Sequence, residues 1–271
     1  MNFAVYTHQK PTNMLAMMSP VLAHLEGTMA RSLSRPVLID LRIFRHYDDA
    51  QRALVDGAAD FMRVGPSTYI EAKRLNPAIS LLLAQNGHIR GCIIVNAQAG
   101  ITNLAALKGK TMAGVDANST TGNYLPKVAM VEAGLTAKDL QGGGMIFLGS
   151  HDSVPKDVAS HRYDAGACNA SVAEKFLKEP GGALKVLLEL PEDLRGLPWV
   201  AGSALPPSMT ESIRAGLQSI RDKAILEGLG NNTTGFEKAS DEDYDPLRVA
   251  MRKAEKFDDL PAKLPQAQRN R

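Results

Sequence analysis

Three consecutive hydroxyl side chains, Ser119, Thr120 and Thr121, stand just before a run of apolar residues at helical spacing. The strand-like segment 111–115 precedes them, and Gly134 ends the helical pattern. The first N–H groups of a helix lack intrahelical acceptors and carry the positive end of its dipole, so an anion or a hydroxylated solute can bind there. A simpler interpretation is that Thr120 or Thr121 only caps the helix.

His151 is a second residue whose position suits ligand binding. It follows a predicted strand at 145–148 and precedes a predicted helix at 152–160, as binding loops of α/β proteins do. The alternative is a surface histidine beside Asp152, which would cap that helix. From the residues alone, both interpretations stay open.

No catalytic signature accompanies these residues. The sequence contains no Gly-x-Ser-x-Gly, Cys-x-x-Cys or His-Glu-x-x-His motif. Ser150, His151 and Asp152 are neighbours in the chain, and neighbours rarely converge as a catalytic triad. We therefore expect a binding protein that needs no cofactor and is not an enzyme.

Length and composition indicate a globular protein. The chain has 271 residues, 44% of them hydrophobic and 22% charged, which suffices for one large or two medium domains. A formal net charge of +2 gives no reason to expect a nucleic-acid partner. No apolar run approaches the roughly 18 residues that a membrane span requires. Residues 1–6 already read as a core strand, so no secretory leader is recognised, and this alone favours a cytoplasmic protein.

Strands alternate with helices in the first part of the chain. We predict strand 3–6, a long helix from about 12, strand 37–44, helix 47–55 and strand 60–64. Such alternation indicates parallel βαβ units, whose ligands bind outside the carboxyl ends of the strands. Tyr6 and Tyr47 lie at or just after such ends and are candidate binding residues.

The second part repeats this plan after two apolar segments, 79–83 and 91–95. We predict strands 110–116, 145–148 and 164–168, helices 121–133 and 152–160, a return strand at 197–201, and helices at about 208–229 and 246–256. The last residues, with two prolines and mixed charge, read as a surface tail. The whole pattern predicts an α/β fold.

A family resemblance begins with the hydroxyl run. Segment 116–125, Asp-Ala-Asn-Ser-Thr-Thr-Gly-Asn-Tyr-Leu, closely resembles the Asp-Pro-x-Ser-Thr-Ser-Gly-Tyr-Leu signature of phosphonate-type periplasmic binding proteins, the solute receptors of phosphonate and phosphite transporters. Further landmarks of the family follow in the same order, at 65–69, 104–110, 149–152, 164–169 and 243–246. The resemblance covers nearly the whole chain, from Phe3 to about Arg252.

The resemblance implies a two-lobed periplasmic binding protein fold of type II, in which each lobe is a mostly parallel sheet flanked by helices and two strands form a hinge. Lobe 1 would comprise 1–93 and 200–256, lobe 2 would comprise 94–199, and 257–271 would be the tail. A solute held between the lobes would select the closed state. The resemblance also implies that His151 contacts the ligand.

The chain departs from the family pattern at the first crossing. Ile89 stands where receptors of amino-alkyl ligands usually have tyrosine, Gly91 where serine often follows, and Cys92 where valine is common. The resemblance places Cys92 and Cys168, the only two cysteines, at cleft-proximal positions.

Three interpretations of the cysteines are open. They are small buried hydrophobes, a disulfide, or soft ligands in a pocket lined by hydroxyls. A solute that is both soft and hydroxylated is arsenite, and a branch of the resembled family serves as arsenite-binding receptors for sensor kinases. The sharpest hypothesis is that Cys92 bonds arsenic while Ser119, Thr120, Thr121 and His151 hold its hydroxyls.

The function implied by the resemblance is a periplasmic receptor whose leader has been replaced by an initiating Met. Its solute would be arsenite presented to a membrane sensor kinase; the alternative is a phosphonate- or phosphite-binding component that delivers its solute to an ABC transporter permease. An enzyme on the same fold, acting on thiamine-type precursors, would require a cofactor site or a nucleophile paired with a base, and neither is found.

Overall fold

The computed structural model describes residues 1–7, 11–190 and 194–258. The chain divides into two compact units. Unit 1 comprises Met1–Arg90, Asn118–Thr120 and Glu192–Leu247, and unit 2 comprises Gly91–Ala117, Thr121–Pro191 and Arg248–Arg271. The predicted boundary at 93/94 lies three residues after the observed one, whereas the predicted return at 199/200 lies eight residues after the observed one. Two further differences are that 118–120 group with unit 1 and that the described residues from Arg248 to Asp258 group with unit 2.

Within the described residues there are eleven strands. They are β1 (Asn2–Tyr6), β2 (Asp40–Phe44), β3 (Phe61–Arg63), β4 (Ser80–Gln85), β5 (Gly91–Asn96), β6 (Met112–Gly114), β7 (Met145–Phe147), β8 (Ala165–Asn169), β9 (Leu184–Glu189), β10 (Pro198–Ala201) and β11 (Phe236–Glu237).

The same residues form nine α-helices. They are α1 (Pro11–Leu33), α2 (Tyr47–Val55), α3 (Pro66–Leu75), α4 (Leu125–Glu132), α5 (Ser153–Ala159), α6 (Ala170–Leu177), α7 (Pro207–Gln218), α8 (Lys223–Gly228) and α9 (Asp245–Ala254). None of the described helices is both long and apolar enough to cross a bilayer.

Unit 1 is built on a six-stranded sheet in the order β11-β4-β10-β3-β1-β2. β1 pairs in parallel with β2 and β3, whereas β10 is antiparallel to both β3 and β4. The sheet is therefore mixed, but β1 to β4 run in one direction and share a carboxyl edge. Its core includes Phe3, Phe61 and Trp199, which are fully buried, and the apolar stripe of α1 packs on it.

Unit 2 is built on a five-stranded sheet in the order β7-β6-β8-β5-β9. β6 pairs in parallel with β7 and β8, and β5 is antiparallel to β8 and β9. The carboxyl ends of β6, β7 and β8 thus lie at one edge, and the predicted solute-binding loops follow these ends.

Several predicted elements differ from the observed ones. The helix predicted at about 208–229 is two helices, because the side chain of Asp222 accepts bonds from the N–H groups of Ala224 and Ile225 and starts α8 anew. The helix predicted at 121–133 begins with a π turn, Thr120–Tyr124. Strands β9 and β11 and helices α3 and α6 were not predicted.

The C-terminal end of the described chain packs in unit 2. Lys127 of α4 donates to the carboxylate of Asp258 at 2.6 Å, Lys253 pairs with Glu132, and Phe257 is fully buried. The predicted tail at 257–271 therefore begins with packed residues, and its remainder lies outside the described residues.

Candidate functional site

The loop after β6 is closed by backbone contacts within unit 2. The N–H of Val115 donates to the carbonyl of Gly122 at 3.1 Å, which ties the end of the strand to the π turn. A Cβ on Gly114 would lie 2.7 Å from that carbonyl oxygen, so only glycine permits this approach. π turns widen the helix and are frequent at functional sites. The strand, loop and helix start predicted from the sequence are therefore present, with a widened first turn.

Thr121 packs directly over Gly91 of β5. A Cβ on Gly91 would lie 2.9 Å from the Cβ of Thr121 and 3.0 Å from Cδ1 of Leu190. The Thr121 side chain is 3% exposed, and its hydroxyl makes no hydrogen bond to any described residue. Packing thus holds the side chain in place while the hydroxyl keeps its donor and acceptor capacity for a ligand.

His151 is oriented by the end of β8. The backbone N–H of Asn169 donates to Nδ1 of His151 at 3.0 Å, so Nδ1 carries no proton and Nε2 carries the ring proton. The side chain of Asn169 in turn accepts bonds from the N–H and hydroxyl of Ser171 at the start of α6. This arrangement presents Nε2–H as a donor, which suits an oxyanion.

The two cysteines lie in the core of unit 2. Cys92 is 2% exposed and Cys168 is fully buried, and both belong to the apolar cluster that includes Val154 and Val158 of α5. Successive side chains of a strand point to opposite faces. Because Gly91 lies beneath Thr121, Cys92 points to the other face of the sheet. The arsenite hypothesis requires Cys92 and Thr121 to contact the same solute. The structure instead places the two side chains on opposite faces of the sheet.

Ser119 and Thr120 group with unit 1. The hydroxyl of Thr120 accepts a bond from the N–H of Ser67 at 3.1 Å and lies 2.7 Å from the Ser67 hydroxyl, which donates to the carbonyl of Asn118 at 2.5 Å. Ser67 lies in the first turn of α3, where an N–H group needs an acceptor. Thr120 therefore caps α3, a helix other than the one that follows it in the chain.

Tyr6 and Tyr47 contact each other at the carboxyl edge of unit 1. Their ring centroids are 3.8 Å apart, and the Tyr6 hydroxyl accepts a bond from the N–H of Gly65 at 3.0 Å. Burial raises the pKa of Tyr6, and the hydrogen bond from the Gly65 N–H and the charge of Arg63 offset this only in part. Tyr6 is therefore a neutral phenol at physiological pH, and its hydroxyl can donate a hydrogen bond to a ligand.

Sequence reasoning missed two residues that position the candidates. Ser67 holds Thr120, and Asn169 holds His151. The available signals were Ser67 directly after Gly65-Pro66 at a helix start, and Asn169 at the end of a strand. No group of three or more His, Cys, Asp or Glu side chains within the described residues is placed to hold a metal ion.

The chain matches a family model over residues 3–244. The model describes the periplasmic substrate-binding protein of phosphonate ABC transporters.

Curated relatives and solved structures give further similarities. The phosphate-import protein PhnD of Mycolicibacterium smegmatis is 24% identical over 229 residues, covering 74% of this chain and 71% of that protein. The probable ABC transporter phosphite-binding protein PhnD1 of Prochlorococcus marinus is 28% identical over 205 residues, covering 68% of each chain. The structure of PhnD1 from Prochlorococcus marinus in complex with methylphosphonate superposes with a TM-score of 0.80 at 21% identity, covering 94% of this chain and 98% of that one. This likeness confirms the predicted two-lobed binding-protein fold.

Proposed function

This chain belongs to the family of phosphonate-type periplasmic substrate-binding proteins, and we propose that it binds a small phosphorus oxoanion for an ABC transporter. Like its relatives it is a binding protein and not an enzyme. The family match over 242 of the 271 residues, 3 to 244, carries the proposal. The family description favours the periplasm as its location.

The chemistry of the candidate residues supports an oxoanion as the ligand. The Thr121 hydroxyl has no partner among the described residues, and Nε2–H of His151 is a donor held in orientation by Asn169. Within unit 1, Tyr6, Tyr47 and Ser119 carry hydroxyl groups, which can also donate hydrogen bonds. Oxygen atoms that carry negative charge accept hydrogen bonds of this kind more strongly than neutral ones do. Phosphonate, phosphite and phosphate all present such oxygens.

Arsenite is less well supported. Arsenic would need a thiol, and the thiols of Cys92 and Cys168 are buried on the face of the sheet away from Thr121. The relatives are described as import or transporter binding proteins. This favours an ABC transporter over a sensor kinase as the partner.

Isothermal titration calorimetry with methylphosphonate, phosphite, phosphate and arsenite tests the proposal. We expect at least one phosphorus oxoanion to bind, and Thr121→Val to weaken it about tenfold or more, because valine keeps the shape over Gly91 but removes the hydroxyl. Thr210→Val, on α7 of unit 1, is the matched control and should leave the affinity unchanged. Binding of arsenite alone, lost in Cys92→Ala, would overturn the proposal in favour of a metalloid receptor.

A further inference from the structure

Cys92 and Cys168 occupy directly opposite positions on two paired strands. Their Cα atoms are register partners in the antiparallel ladder of β5 and β8. Both are free thiols in this structure, and both are buried. Directly opposed residues of an antiparallel pair have Cβ atoms about 4.5–5.5 Å apart, close enough for two sulfur atoms to meet.

The two thiols interact with each other. A hydrogen bond with the Cys92 side chain, together with burial, raises the pKa of Cys168 well above that of a free thiol. The residues around them are apolar and include Ile94, Val154, Val158 and Ala173. In these apolar surroundings, each thiol has the other as its nearest group able to react with it.

We propose that Cys92 and Cys168 form a cross-strand disulfide when the protein meets a disulfide oxidant, and that the structure described here is its dithiol form. One thiolate attacks the oxidant, RSSR, and releases one RSH, which leaves a mixed disulfide on the protein. The second thiolate displaces the other RSH and closes the bond. Two S–H bonds of the protein are broken and one S–S bond forms, while two electrons and two protons pass to the oxidant.

The geometry requires a small movement of the strands. A disulfide needs Cβ atoms about 3.5–4.5 Å apart, so β5 and β8 must approach by up to about 1 Å. Both thiols are also buried and Cys168 resists ionisation, so the reaction in the folded protein is slow at neutral pH and accelerates as the pH rises.

Formation of this disulfide affects His151 through Asn169, the residue that follows Cys168 in β8. Cys168 is followed by Asn169, whose N–H donates to Nδ1 of His151. A shift of β8 toward β5 moves this donor and therefore reorients the imidazole ring. This consequence for ligand affinity rests on the proposed function, whereas formation of the disulfide does not.

The test of the bond is intact-protein mass spectrometry after incubation with oxidised glutathione at mildly alkaline pH. We expect the mass of the wild-type protein to fall by about 2 Da, with no thiol left for alkylation after denaturation. Cys92→Ala and Cys168→Ala, tested singly, cannot lose this mass. Two alkylatable thiols in the denatured wild-type protein, or stable glutathione adducts in place of the mass loss, would overturn the proposal.

A second experiment tests whether formation of the disulfide changes the environment of His151. Nitrogen-15 spectra of the reduced and oxidised protein should show shifts of the Asn169 amide and of the His151 ring, and the Cys92→Ala/Cys168→Ala protein should show none on oxidant treatment. Unmoved signals in a protein that has lost the two protons would overturn the link. Methylphosphonate titration of both forms separates the proposed function from the disulfide proposal. If neither the reduced nor the oxidised form binds, this counts against the proposed function. The mass measurement alone decides whether the disulfide forms.

Discussion

The hydroxyl of Thr120 lies 2.7 Å from that of Ser67, 53 positions earlier in the chain, and accepts the Ser67 backbone N–H. Both side chains are buried. Gly65, the N-cap of α3, offers no side chain to the first turn, so Thr120 supplies an acceptor there. The two adjacent hydroxyls thus differ in role. The Thr120 hydroxyl is hydrogen-bonded to Ser67 within unit 1, while the Thr121 hydroxyl in unit 2 has no hydrogen-bond partner among the described residues.

Thr120→Val should destabilise unit 1. The substitution leaves the Ser67 N–H without its acceptor and removes the hydroxyl contact to the Ser67 side chain, so the free energy of unfolding should fall by about 1–3 kcal/mol. Urea unfolding followed by the fluorescence of Trp199, the only tryptophan and a core residue of unit 1, measures this loss. Thr120→Ser retains the hydroxyl and is the matched control. A valine variant as stable as the serine variant would show that the cap contributes nothing.

Gly91→Ala should be destabilising although alanine is small. Its Cβ would lie 2.9 Å from the Cβ of Thr121 and 3.0 Å from Leu190, and overpacking of this kind costs about 1–3 kcal/mol. The control is Gly228→Ala, whose Cβ meets nothing within 4 Å at the end of α8. Thermal unfolding of both variants measures the difference. A Gly91→Ala protein that melts with the wild type would mean that Thr121 does not pack against this position.

Two variants of His151 should separate its orientation from its donor role. In His151→Asn the side-chain oxygen can still accept the Asn169 N–H, but the Nε2–H donor is lost. We expect the affinity for a phosphorus oxoanion to fall about tenfold or more, because a hydrogen bond to a charged group contributes about 1.5–3 kcal/mol. In His151→Ala the acceptor for Asn169 is lost as well, so this variant should also melt at a lower temperature. Unchanged affinity in His151→Asn would remove His151 from the binding site.

Local sequence patterns predicted an element correctly where its own residues determine its bounds. Helix α2 spans Tyr47–Val55, the predicted bounds, because Tyr47, Ala50 and Leu54 form one buried face. The prediction of a single helix at 208–229 was wrong because the apolar spacing continues past Asp222, the residue that caps the start of α8. Strand β9 was missed because it is an edge strand whose residues are only partly buried, which weakens the alternation.

The candidate residues were predictable by type but not by arrangement. The carboxyl ends of parallel strands indicated Tyr6, Tyr47 and His151. The different roles of Thr120 and Thr121 depend on Ser67 and Gly91, which lie far away in the chain. The pairing of Cys92 with Cys168 depends on the register of β5 and β8, and a shift of one residue would separate the two thiols.

Asp164, at the start of β8, should make the stability of unit 2 depend on pH. Burial favours its neutral form, but bonds from the N–H and hydroxyl of Thr111, both at 2.9 Å, and the charge of Lys110 outweigh burial and lower the pKa of Asp164 below its ordinary 3.8. A carboxylate with a depressed folded-state pKa stabilises the fold above the unfolded-state value, and the effect is lost as the pH falls through the folded-state value.

Asp164→Asn should therefore be less stable than the wild type at neutral pH, and the difference should shrink as the pH falls below about 4. Urea midpoints of both proteins across this range measure it. Asp56→Asn, at an exposed position after α2, controls for the loss of one negative charge. A gap between wild type and Asp164→Asn that stays constant down to the lowest pH would mean that the carboxylate charge of Asp164 does not stabilise the fold, and that the asparagine acts only through altered packing.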